Sequence, residues 1–167
     1  MPTISGKEIR LGRLFRESRK LFAVPLDHGV TLGPIEGLAD VDRVVQAVIE
    51  GGADAVIVHK GLARRLTCLA ARPNSCELIL HLSASTILGP DPNQKELVSS
   101  VERAVQLGAT AVSAQVNLGS AAEAKMLREF GQLAEECERW GMPLLAMMYV
   151  RDGAKESEFD AAKVGHA

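Results

Sequence analysis

Aromatic side chains are scarce, at 4% of the 167 residues, so Val, Leu, Ile and Ala must fill the interior. That composition favours buried parallel strands covered by helices. Cysteine is rarer still: Cys68, Cys76 and Cys137 are widely spaced, with no CxxC pair. An odd count without paired spacing argues against a disulfide framework or a zinc site and points to a reducing, cytoplasmic compartment. No apolar run approaches the roughly 18 residues of a membrane span. The formal net charge of -2 leaves no basic field for nucleic acid. Neither GxGxxG nor GxxxxGK[ST] is present, which removes the usual phosphate loop of doubly wound nucleotide binders. The N-terminal arginines Arg10, Arg13, Arg16 and Arg19 give a superficial likeness to a transit peptide, but Glu8 and Glu17 interrupt them. That segment reads as a solvated lead-in helix with Ile9, Leu11, Leu14 and Phe15 turned inward.

What is present is an alternation. Five short apolar runs, Leu21–Asp27, Asp54–His59, Glu77–Ser83, Ala111–Asn117 and Pro143–Tyr149, alternate with helical patterns. Val41, Val44, Val45, Val48 and Ile49 follow the spacing of one helix face, with Asp40 as its N-cap. Leu97, Val98, Val101, Ala104 and Val105 repeat that spacing, and Leu127, Phe130, Ala134 and Cys137 form a third stripe. The joints EGGADAVIV (50–58), QLGATAVSA (106–114) and RWGMPLLAM (139–147) each run from helix through glycine into strand. Such a repeat belongs to a βαβ series with a parallel sheet and right-handed crossovers.

The strands end in polar residues: Asp27 and His28, His59 and Lys60, His81 and Ser83, Gln115 and Asn117, Tyr149 and Arg151. In a closed barrel these ends converge on one mouth, where active sites are built. The expected fold is therefore α/β, a (β/α)8 TIM barrel. It is truncated here to about the first five βα units, since a full barrel has eight strands over about 250 residues. Residues 1–19 are the lead-in helix and 20–167 the strands and helices of a single incomplete domain. Phe159–Ala167 reads as the start of the fifth helix.

Several mouth residues admit two readings. Asp27 is a general base or proton relay, or else a turn aspartate that caps loop amides. His28 reads as a hydrogen-bonding loop residue. Lys60 is an amine nucleophile if its pKa is depressed, or a solvated or anion-binding lysine. His59 and His81 lack a third ligand at recognisable spacing, so they read as core histidines rather than a metal pair. Tyr149 is a proton donor at the mouth or a packed phenol with a satisfied hydroxyl, and Arg151 suits phosphate or carboxylate. Residues 152–160 read as a mobile loop over the mouth.

In order along the chain, VPLDHGVTLGPIEGL (24–38), HKG (59–61), HLSAST (81–86), VNLGS (116–120) and WGMPLLAMMYVRDG (140–153) resemble the archaeal-type class I fructose-bisphosphate aldolase family, especially its heptulosonate-synthase branch. The resemblance runs from about residue 6 to the last. DHG with its downstream GP, joined to MMY-x-R, is specific in combination and weak in either half. The resemblance implies a Schiff-base lyase or transaldolase acting on keto sugar phosphates, as in alternative 3-dehydroquinate and aromatic amino acid biosynthesis. The implied alternatives are fructose-bisphosphate aldolase activity or a non-catalytic truncated fragment. It makes Asp27 the proton acceptor and Tyr149 the proton donor, with Asp27, His28, Gly29, Val30, Thr31, Tyr149, Val150 and Arg151 binding substrate. It implies no metal and no cofactor, a small-molecule sugar phosphate partner and a homo-oligomer at full length. The Schiff-base lysine falls on a sixth strand and is absent from these residues, as is the phosphate site of the last two βα loops. Val150 stands where the family usually has proline.

Overall fold

In the computed structural model the described residues are 5–16, 19–66 and 76–167. Cys68 lies outside them. Five strands form one parallel sheet: β1 Ala23–Pro25, β2 Ala55–Val58, β3 Glu77–His81, β6 Ala111–Leu118 and β7 Leu144–Val150, paired in that order. The sheet curls into a partial barrel, and β1 and β7 are its edges among the described residues. All the expected strands are present, though the first is shorter than its apolar run. β4 (Ser83–Ala84) and β5 (Glu96–Leu97) make a short antiparallel ribbon beside it.

The helices are α1 Gly6–Phe15, α2 His28–Leu32, α3 Val41–Glu50, α4 Lys60–Ala63, α5 Val101–Gln106, α6 Glu123–Trp140 and α7 Ala161–His166. Asp40 caps α3 by accepting the Arg43 N–H. The three glycine joints are built alike. Gly52, Gly108 and Gly141 have φ of 81°, 74° and 56°. The next residue's N–H reaches back five positions in each case: Ala53 to Val48, Ala109 to Ala104, and Met142 to Cys137, at 3.2, 3.0 and 2.8 Å. The glycine's own N–H bonds the carbonyl three positions back, on Ile49, Val105 and Glu138. This double closure satisfies two orphan helix carbonyls and needs a left-handed residue, which glycine supplies without a Cβ penalty.

Side-chain alternation splits the strands into two faces. One face, with Val56, Val58, Leu78, Leu80, Val112 and Ala114, packs on Val45, Ile49, Val101, Ala104, Leu133 and Cys137 of the helices. The other, with Ala55, Ile57, Ile79 and Ala111, packs on Leu14 of α1, with Leu145 and Met147 beside it. α1 thus plugs the barrel end opposite the mouth. It is tied there by Arg10 Nη1 donating to Gly141 O at 2.9 Å and by a Lys7–Glu138 pair.

Four expectations shift. In α1 only Leu14 is buried, while Ile9 and Phe15 are exposed, because one short helix against a barrel end offers a single contact line. Leu97 and Val98 are not helical; Leu97 pairs with Ser83 and the Val98 N–H bonds Leu82 O at 2.7 Å. The helix begins at Ser100, whose side chain caps it. The buried stripe of α6 is Met126, Leu133 and Cys137 with Phe130 beside it, and Leu127 is exposed. The segment read as a mobile loop contains a 3-10 turn, Lys155–Phe159, with Ser157 buried. Arg151–Glu158 and Lys163–Asp152 ion pairs, each 2.6 Å, brace it.

Candidate active site

Parallel pairing puts every strand's C-terminal end on the same side, so the polar ends meet at one mouth. Inside the barrel the layer Ile57, Ile79 and Ala111 is apolar. One step towards the mouth the same face carries His59, His81 and Ser113, with His81 and Ser113 in register. All three are buried.

His81 is the hub. Its Nδ1 lies 2.8 Å from Ser113 Oγ and its Nε2 3.3 Å from Ser83 Oγ. Ser83 Oγ also accepts the Gln115 N–H at 2.9 Å. The His59 ring meets the His81 ring edge-on, with centroids 5.2 Å apart. Burial pushes the His81 pKa down to about 4 against the pull of Asp27. Burial also lowers that of His59, against the charge of Asp27 and bonds to the backbone of His81 and Asp27. Both imidazoles are therefore neutral near pH 7. In the tautomer in which Ser113 donates to Nδ1, the Nε2–H turns outwards to Ser83 and Asp27.

Asp27 sits at the N-terminus of α2 without a side-chain capping bond. Its carboxylate instead faces the histidines, with Oδ2 3.5 Å from His81 Nε2 and Oδ1 3.9 Å from His28 Nδ1. Because His81 is neutral, the first is a polar contact rather than an ion pair. A carboxylate aimed into a cavity, with a neutral imidazole behind it, is equipped to take a proton from a bound carbon or oxygen acid. The cavity has a volume of about 730 Å³. Asp27, His59, Lys60 and His81 form its polar part, and Val30, Ile35, Leu38, Val41, Val44 and Val98 are among its apolar walls. Gly29 also lines it. His28 is exposed, and the Thr31 carbonyl accepts the Ile87 N–H at 2.9 Å, tying α2 to the β4–β5 connection.

Across the mouth, Tyr149 pairs in register with Asn117. Its position alternates with Leu145 and Met147, so it belongs to the inner face. It is 42% exposed, with the Arg151 guanidinium 5.2 Å from its ring centre. Val150 alternates to the other face, where it is buried beside Leu118 at a second opening shared with Asp152 and Lys163. Gly119 allows the β6 and β7 loops to meet: a Cβ there would lie 2.7 Å from Asp152 Cβ. The structure thus gathers Asp27, Gly29 and Val30 around the cavity and places Tyr149 and Arg151 on a separate part of the same mouth. Lys60 is exposed, with its ammonium on Val98 O. No cluster of three or more metal-ligating side chains occurs among the described residues, and none of their helices is long and apolar enough to cross a membrane.

Of two further polar residues, the sequence reading marks Asn117 only as a strand end and misses Lys95. Asn117 is buried and its Nδ2 donates to Asn93 O at 2.7 Å, while its Oδ1 accepts from Gln115 Nε2 at 2.8 Å. Through it the Asn93–Lys95 segment is pinned over β6. Lys95 is 6% exposed and its ammonium donates to Ser85 Oγ at 2.7 Å. The only signal in the sequence is the turn-rich PDPN (90–93) before Lys95.

Comparison with known proteins agrees with this architecture. The DeoC/LacD family aldolase pattern matches residues 21–167. The 2-amino-3,7-dideoxy-D-threo-hept-6-ulosonate synthase 1 of Archaeoglobus fulgidus is 48% identical over 164 residues, which cover 96% of this chain and 61% of that protein. The 2-amino-4,5-dihydroxy-6-oxo-7-(phosphonooxy)heptanoate synthase of Streptomyces griseus is 43% identical, over 97% of this chain and 59% of its own length. An archaeal fructose 1,6-bisphosphate aldolase superposes with a TM-score of 0.82 at 28% identity, over 96% of this chain and 64% of that one. A Schiff-base-forming fructose-1,6-bisphosphate aldolase superposes with a TM-score of 0.83 at 27% identity. The chain spans about three fifths of the length of the curated relatives it matches, and it belongs to the DeoC/LacD family of aldolases.

Proposed function

We propose that this chain forms the proton-transfer side of a Schiff-base aldolase or transaldolase of the heptulosonate-synthase kind. The observation that carries the reading is Asp27: it is uncapped, faces a cavity of about 730 Å³ and is backed by the neutral His81. In this reading the reactive amine lies on the barrel strand that follows β7 in the family. The iminium it forms withdraws electrons from the donor ketone. In the cleavage direction Asp27 takes the proton of the hydroxyl that becomes the aldehyde, and Tyr149 returns one to the released donor carbon from the opposite side; condensation runs the same two transfers in reverse. The Asp27–Thr31 and Tyr149–Arg151 segments hold the substrate.

The product named for the Archaeoglobus relative divides into two parts. Carbons 1 to 4 are those of a 2-amino-4-oxo acid, and carbons 5 to 7 are those of a three-carbon ketone. The new carbon–carbon bond joins the ketone's nucleophilic carbon to the aldehyde carbon, whose oxygen takes up a proton. Identity favours this acceptor, at 48% against 28% for the fructose-bisphosphate aldolase.

Sodium borohydride reduction in the presence of fructose 1,6-bisphosphate, followed by peptide mass mapping, tests the chemistry. The adduct is expected on the polypeptide that supplies the strand after β7, in cis or in trans, and not on residues 1–167. An adduct on Lys60 or Lys95 would move the Schiff base into this chain. No adduct on either polypeptide would favour a non-catalytic fragment. Adding 2-amino-4-oxobutanoate and finding the seven-carbon product separates the synthase from fructose-bisphosphate cleavage. We also read the full-length protein as a homo-oligomer, to be checked by light scattering.

A further inference from the structure

The His81 ring is neutral near pH 7, so its single N–H sits on one nitrogen or the other. Two arrangements compete. In the first, Ser113 donates to Nδ1 and the Nε2–H points between Ser83 Oγ at 3.3 Å and Asp27 Oδ2 at 3.5 Å. In the second, the Nδ1–H donates to Ser113, Ser83 donates to Nε2, and the Asp27 carboxylate lies beside an acceptor nitrogen.

Each arrangement leaves one hydroxyl hydrogen over, Ser83's in the first and Ser113's in the second. Ser113 has no solvent exposure, and among the described residues its hydroxyl bonds His81 alone. Ser83 borders a crevice of about 10 Å³, roughly the space of one water. The spare hydrogen is therefore better met at Ser83. Charge points the same way. Among the charged groups that act on the ring, Asp27 is the one anion, against His59, Lys95 and His28. A carboxylate attracts an N–H and repels a nitrogen lone pair. Both arguments select the first arrangement.

The ring's direction is fixed as well. Ser113 on β6 is in register with His81, and Ser83 Oγ accepts the Gln115 N–H at 2.9 Å, so both hydroxyls are tied to the same strand. The imidazole cannot flip without losing both contacts. Asp27, by contrast, has no side-chain capping bond at the start of α2. Its carboxylate is oriented by the His81 edge, with His28 Nδ1 3.9 Å from the other oxygen.

We propose that His81, in its Nε2–H tautomer, is a positioning residue that aims the Asp27 carboxylate into the cavity for proton transfer, with Ser113 and Ser83 clamping its ring. The proton transfer rests on the aldolase reading; the tautomer and its coupling to Asp27 do not.

The experiment labels the histidines of the intact protein with nitrogen-15 and reads the ring tautomer by NMR at pH 7. His81 is expected to carry its proton on Nε2 in at least about nine tenths of the molecules. In Asp27→Asn the amide offers either its oxygen or its nitrogen, so the Nδ1–H form should rise at least about threefold. A wild-type ring protonated on Nδ1, or a tautomer that ignores Asp27→Asn, would overturn the proposal. Turnover gives the second readout. His81→Leu should lower kcat at least about tenfold with KM within about twofold of wild type, and His81→Gln, which keeps a neutral N–H donor, should recover at least about threefold of the loss. An equal loss in both variants, or a loss confined to KM, would leave His81 a structural role only. The wild-type tautomer is read without any variant at 81, so a poorly folding His81→Leu does not obscure the result. An Nε2–H ring that responds to Asp27→Asn, in a protein that never makes the seven-carbon product, would retain the positioning of the carboxylate and remove the synthase reading. Product formation with an Nδ1–H ring would do the reverse.

Discussion

The two sides of the mouth are built on different principles. On the side running from β1 to β6 the polar groups are dry and linked: His81 contacts Ser113 and Ser83, meets the ring of His59 and faces Asp27. On the β7 side Tyr149 is 42% exposed and its neighbour Arg151 forms an ion pair with Glu158, itself partly open to solvent. Buried polar networks are costly unless satisfied and rigid once they are. The dry side therefore fixes one carboxylate, while the open side keeps its phenol accessible. Stability should be concentrated where the network is, and chemical access where it is not.

The largest test of that contrast is His81→Ala. It leaves a cavity and removes partners from Ser113 and Ser83, so it should cost about 2–4 kcal/mol in urea unfolding. A loss below about 0.5 kcal/mol would mean that the network adds nothing and that the two sides are alike. Acid should act on the same ring. In the folded chain the His81 pKa is about 4, below its ordinary value of 6.5. Its contribution is therefore complete above pH 6.5 and declines as pH falls towards 4, because the unfolded chain takes up the proton first. His59 shifts in the same direction and adds to the slope. Urea midpoints at pH 7 and pH 5 should differ accordingly, and the difference should shrink in His81→Ala. Ser113→Ala removes a single bond at a site with no solvent exposure and should cost about 1 kcal/mol by the same assay.

Much of this arrangement is legible in the chain because it is local. A helix stripe, a glycine and an apolar run describe each joint, and the same pair of hydrogen bonds closes all three. Strand ends in a parallel sheet share a side, so the polar residues of the mouth follow from the fold. The β4–β5 ribbon was hidden because Leu97 and Val98 lie at helical spacing from Val101, while their true partners, Ser83 and Leu82, are distant in sequence. Lys95 was hidden for the same reason: its burial depends on Met126 and Asn117, which no local pattern links to it. The phase of α6 was misread because Leu127 is apolar yet exposed. The hub role of His81 required the register of β3 with β6, which strand order alone does not supply.

The smallest expected effect is also the sharpest test of the open side. Among the described residues the Tyr149 hydroxyl has no hydrogen-bond partner, and the ring's recorded contact is with Arg151. Tyr149→Phe keeps that ring contact and deletes only a solvated oxygen, so unfolding free energy should change by less than about 0.5 kcal/mol. Arg151→Ala should cost somewhat more, about 0.5–1 kcal/mol, because it removes both the guanidinium–ring contact and a partly exposed ion pair. Tyr149→Phe thus separates stability from the proposed chemistry: loss of activity without a change in the urea midpoint is what a proton-donating role for an accessible phenol requires. If Tyr149→Phe instead costs more than about 1 kcal/mol, the hydroxyl is held by a bond of ordinary strength. The open side would then be a second structured network, and the contrast between the two halves of the mouth would fail.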